Sequence, residues 1–121
     1  MIGCCTTKRQ SDQLRALGFK LPSYWLIKVI KTIDEVTEEI PEFSYSRGFE
    51  EPQENSAWGI SEILEVFPEA LGTYRLRISK LNGKWDIRYI NNKRTLCGIR
   101  DENLYNAAIE LIKVLVRNRK I

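Results

Sequence analysis

The stretch from Tyr74 to Tyr89, centred on Asn82-Gly83, constrains this chain more than any other. Tyr74, Leu76 and Ile78 alternate with Arg75, Arg77 and Ser79 before the dipeptide. Trp85, Ile87 and Tyr89 alternate with Asp86 and Arg88 after it. A period of two is that of a strand with one buried face. Asn-Gly supplies the two consecutive residues that tolerate positive φ, as a type I′ hairpin turn requires. A two-residue loop sets Ile78 opposite Ile87 and Leu76 opposite Tyr89 on the buried side, with Arg77 opposite Arg88 on the other. A third strand, roughly Thr95 to Ile99, follows the polar turn at Asn91-Asn92-Lys93.

The flanking segments read as helices. Asp101 is expected to cap a final helix whose apolar stripe is Leu104, Ala107, Ala108, Leu111, Ile112 and Leu115. Near the amino terminus, Thr7-Lys-Arg-Gln10 has capping-box spacing, and Gly18 stands where a left-handed C-cap is wanted, so a helix is expected from Lys8 to Leu17. Ile60, Ile63, Leu64 and Phe67 predict a short helix behind Gly59, with Pro68 marking its end.

Between these lie two less regular stretches. Tyr24 to Lys31 is rich in aromatic and β-branched residues and is read as an extra strand. The spacing of Leu26, Val29, Ile33, Val36 and Ile40 leaves a helix behind Ser23 as the alternative. Residues 37–56 are acidic and punctuated by Pro41, Gly48 and Pro52, which predicts an irregular excursion. Residues 1–6 are expected to be disordered.

These elements imply an α+β fold: a two-layer sandwich in which helices cover one face of an antiparallel sheet, made of a three-stranded meander plus the extra strand. A chain of 121 residues is the size of a single domain, so residues 1–121 are expected to form one. The longest apolar run, Tyr24 to Ile30, is interrupted by Lys28, far short of the roughly 18 residues of a membrane span. No secretory signal pattern precedes it. Three cysteines, Cys4, Cys5 and Cys97, are an odd number with two adjacent, which points to a reducing compartment, and the expected location is cytoplasmic.

The net charge of +3 hides a strong asymmetry. Residues 1–31 carry +5, residues 32–70 carry −10 and residues 71–121 carry +8. Two accounts fit. The acidic middle folds against the basic flanks or is simply solvated; or the basic carboxy-terminal half carries a polyanion site.

The run Ser56-Ala-Trp-Gly-Ile-Ser-Glu-Ile-Leu-Glu-Val-Phe-Pro68, together with Ser11-Asp-Gln-Leu-Arg-Ala-Leu-Gly18 and the Lys84-Trp85 hairpin arm, resembles short uncharacterised proteins of gut Bacteroidales genomes, their phages and mobile elements. Gly59 departs from that pattern, which has a Ser cap there, and the acidic stretch from Glu35 to Glu54 is longer. The resemblance implies no assigned activity.

The chain has no histidine, the commonest general base and metal ligand, so triads, zincins and two-His iron sites are excluded. Cys4-Cys5 and the distant Cys97 lack zinc-ligand spacing. The glycines are scattered singly, with no phosphate-cradling loop. Asp34-Glu35 and Glu38-Glu39 lack the Gly and alternating ligands of a calcium loop and read as solvated acids. No catalytic residue, metal or cofactor is expected. The candidate surface is the outer face of the hairpin, Arg75, Arg77, Lys84 and Arg88. Like charges opposed at Arg77 and Arg88 need compensation, from Asp86, from the acidic middle segment or from a polyanion. The expected function is that of a non-catalytic accessory or protein-interaction module, with nucleic-acid binding through this face as the alternative. A homodimer is a further expectation. The last helix, opening Asp101-Glu-Asn-Leu, lacks the lysine cluster of double-stranded-RNA-binding domains.

Overall fold

The computed structural model describes residues 3–19, 25–31, 37–43, 56–92 and 94–121. Two compact units emerge, Gly3–Glu62 and Ile63–Ile121.

In the first unit, α1 (Lys8–Ala16) opens with the expected capping box: Gln10 N–H donates to Thr7 Oγ1 at 3.2 Å, and Thr7 N–H donates to Gln10 Oε1 at 2.9 Å. Gly18, at φ +84°, turns the chain out of the helix, and Phe19 N–H returns to the Leu14 carbonyl at 3.0 Å. That return brings the Phe19 ring edge-on to Trp58, 4.9 Å between centroids. Leu14, Ala57 and Trp58 are fully buried.

Thr6, expected to be disordered with the rest of residues 1–6, is instead held at both polar ends. Its amide donates to the Trp58 carbonyl at 2.9 Å, and its hydroxyl oxygen accepts from the Trp58 amide at 3.1 Å. The Ser11 hydroxyl donates its one proton to the Thr7 carbonyl, so in the 2.7 Å Thr6–Ser11 contact the Thr6 hydroxyl is the donor. Residues 1–2 lie outside the described residues. A buried hydroxyl is stable only with such partners, and here every one comes from the start of α1 or from Trp58.

The segment from Trp25 is a strand, as read in preference to a helix. It is β1 (Trp25–Lys31), the centre of a three-stranded antiparallel sheet with β2 (Thr37–Phe43) and β3 (Ser56–Ala57) on its two sides. Two expectations change. Residues 37–43, read as the start of an irregular excursion, form β2. Pro41 is tolerated because β2 is the outer strand and needs no second row of ladder bonds. The extra strand belongs to this separate sheet rather than extending the meander. Residues 44–55, the rest of the expected excursion, lie outside the described residues.

The short helix is α2 (Ile60–Leu64), spanning the point where the two units divide. The second unit has the expected α+β layering. A four-stranded antiparallel sheet, β4 (Ala70–Leu71), β5 (Tyr74–Leu81), β6 (Lys84–Asn91) and β7 (Arg94–Asp101), pairs in chain order and carries α3 (Leu104–Arg117) on one face. Asn82 at φ +54° and Gly83 at φ +76° make the predicted turn, and the register is the expected one: Ile78↔Ile87, Leu76↔Tyr89, Arg77↔Arg88.

Helix α3 lies over β6 and β7, so burial is uneven across the hairpin. Ile87 and Tyr89 are fully buried, whereas Ile78 on β5 remains 37% exposed. The Tyr89 hydroxyl donates to the Pro68 carbonyl at 2.7 Å, and its burial, with Cys97 alongside, pushes its pKa up to about 12. The helix begins two residues later than expected. Asp101 is still paired with Trp85 in the ladder, so Asn103 is the cap, its side chain accepting from the Asn106 amide, while Asp101 accepts from the Asn103 amide at 2.8 Å.

Candidate polyanion interface

Strand alternation decides which side chains share the face turned away from α3. On β5 these are Arg75, Arg77 and Ser79; on β6 they are Lys84, Asp86, Arg88 and Ile90, with Arg75 paired to Ile90, Ser79 to Asp86 and Leu81 to Lys84. The structure therefore brings the four predicted residues, Arg75, Arg77, Lys84 and Arg88, onto one side of one sheet. Arg75, Arg77 and Lys84 are exposed and form no ion pair among the described residues.

Arg88 differs. It turns along its own strand onto Asp86, two residues back on the same face, and grips it with both donors of one guanidinium edge: Nε to Oδ1 at 2.6 Å and Nη2 to Oδ2 at 2.5 Å. Its remaining terminal nitrogen, Nη1, reaches Thr95 Oγ1 at 3.3 Å. This answers the opposed Arg77 and Arg88: of the three compensations expected, Asp86 makes a direct contact. Gly98, paired with Arg88, makes room for the side chain, since a Cβ there would stand 2.7 Å from Arg88 Cβ.

A fifth cation, Arg100 on β7, was not expected. It pairs with Asp86 across the ladder and donates to Asp86 Oδ2 from Nη2 at 3.1 Å and Nε at 3.3 Å, with its side chain 60% exposed. It was missed for two reasons. The third strand was expected to stop at Ile99, and a bulge breaks its alternation: Tyr89 pairs with Cys97 but Ile90 pairs with Thr95, which leaves Leu96 unmatched.

Asp86 is thus a nearly buried carboxylate, 7% exposed, between two guanidinium groups. The hydrogen bonds from Arg88, then those from Arg100, hold its pKa below the usual carboxylate range against the opposing effect of burial. A carboxyl group whose folded pKa is depressed contributes stability above its unfolded value of about 3.9, and that contribution disappears as pH falls through the lower folded value. The stability gap between the native chain and Asp86→Asn, measured by urea unfolding, is expected to be widest near neutral pH and to narrow as pH falls below the unfolded value of about 3.9. A gap that widens on acidification would contradict the ion pair.

Cys97 is a poor nucleophile where it stands. Cys97 lies on the α3 side in a half-open cleft of about 450 Å³ with Leu71 and Leu115, and burial pushes its pKa up, away from the reactive thiolate. Among the described residues no three Cys, Asp or Glu side chains cluster as metal ligands, and no helix is long and apolar enough to cross a membrane. No protein-family model matches the chain, and neither a curated protein nor a solved structure matches it.

Proposed function

We propose that this chain is a non-catalytic accessory module that binds a polyanion, nucleic acid, through the hairpin face turned away from α3. The observation that carries this reading is the row formed by Arg75, Arg77 and Lys84, exposed and without an ion pair among the described residues. Arg75 and Arg77 are two residues apart, about 7 Å, and Lys84 stands opposite Leu81, about 20 Å along β5 from Arg75. A line of that length suits a charged backbone rather than a single phosphate. Duplex DNA offers one charge per roughly 1.7 Å of its axis, and neutralising some of them releases counterions.

The same face argues for phosphate contact without base reading. Its polar side chains are mainly Arg, Lys, Ser and Asp, and Tyr74, Trp85 and Tyr89 stand on the opposite side of the sheet, so no stacking platform accompanies the cations. Binding to a fluorescently labelled mixed-sequence duplex, followed by polarisation, is expected to saturate at low salt and to weaken steeply as salt is raised, to a Kd on the order of 10⁻⁵ M or weaker at physiological salt. No polarisation change at low salt would remove this reading.

One observation favours a protein partner as the second reading. Strand β4 pairs only with Tyr74 and Arg75, so from Arg77 to Leu81 strand β5 has β6 as its sole strand neighbour among the described residues. Such an edge is suited to accepting an extended peptide.

A further inference from the structure

Resting on that reading, we infer that Asp86 is a built-in brake on the basic face, holding two of its five cations out of use and keeping polyanion binding weak. Arg88 spends Nε and Nη2 on the carboxylate, and Arg100 spends the same two atoms on Oδ2. The Nε–Nη2 edge of each guanidinium, one of the two that can hold a phosphate bidentately, is therefore occupied. The carboxylate lies on β6 between Arg77 and Lys84 in the pairing order, so its charge also opposes any phosphate held by those two. Only Arg75, Arg77 and Lys84 then reach a ligand without an ion pair to break among the described residues.

Asp86 has another role available, as a buttress that orients Arg88 and Arg100 toward a phosphate, and the two roles predict opposite signs. Neutralising a brake tightens binding. Neutralising a buttress loosens it. The bond pattern favours the brake at Arg88, where Nε and Nη2 are on the carboxylate and Nη1 is on Thr95, so neither bidentate edge is free.

The test is duplex titration of Asp86→Asn over a range of salt concentrations, beside the native chain. The brake predicts binding about fivefold tighter at low salt, the effect of one unit charge near contact distance in water. It also predicts a plot of log K against log salt steeper by about 0.9, one further phosphate neutralised. Asp86→Thr, a strand-favouring neutral residue facing Ser79, repeats the measurement should the Asn variant not fold. Folded neutral variants that bind no more tightly than the native chain, while the native chain itself binds, would overturn the brake and leave the polyanion reading standing. Absence of binding by the native chain and its neutral variants alike would overturn both.

Discussion

Trp58→Ala is expected to destabilise the amino-terminal unit by about 3–5 kcal/mol, the range for emptying a large aromatic site in a packed core. Trp58 is fully buried and meets Phe19 edge to face, and its backbone forms both bonds that anchor Thr6. Removing the indole opens a cavity against Phe19 and loosens the Trp58 backbone that holds Thr6, whose hydroxyl also bonds Ser11. Against a total stability of roughly 5–15 kcal/mol this is a large share of what holds the fold, and at the low end of that range it leaves little. Trp85→Ala supplies the contrast. That ring is half-buried, with the Lys80 ammonium 5.1 Å from its centroid, and its loss is expected to cost about half as much. Urea unfolding followed by circular dichroism measures both. Equal costs for the two variants would mean that Trp58 is not the anchor described.

The hairpin was legible because everything that specifies it is local. Asn82-Gly83 sets the turn, the alternation sets the faces, and together they place Arg75, Arg77, Lys84 and Arg88 on one side. The caps of α1 were equally local. What escaped depends on partners far along the chain. Thr6 finds Trp58 52 residues away, and neither residue announces the other. Strand β2, with Glu38, Glu39, Pro41 and Glu42, is poor in strand formers and exists because β1 presents a free edge to it. Arg100 lies 14 residues from Asp86 across a bulge that shifts the alternation by one position, so counting by twos from Thr95 puts it on the wrong side. The charges of the site could be read, but not which of them are spent on each other.

Replacing Arg75, Arg77 and Lys84 together by Gln is expected to have the largest effect on binding. All three are exposed and make no ion pair among the described residues, so the triple variant should fold as the native chain does, surface substitutions of this kind costing within about 0.5 kcal/mol each. Each neutralised phosphate contributes about 0.9 to the slope of log K against log salt, so three lost contacts should flatten it by about 2.7. At low salt that corresponds to a loss of at least a hundredfold, because each contact also forgoes its counterion release. Arg88→Gln alone should weaken binding far less, since that guanidinium is already committed to Asp86.

The direct measurement of whether this face binds is therefore a pair of salt titrations on one duplex, native chain against the triple Gln variant. The account predicts two lines of clearly different slope, with the variant close to flat. Parallel lines of equal affinity would place the contact elsewhere on the molecule and contradict it.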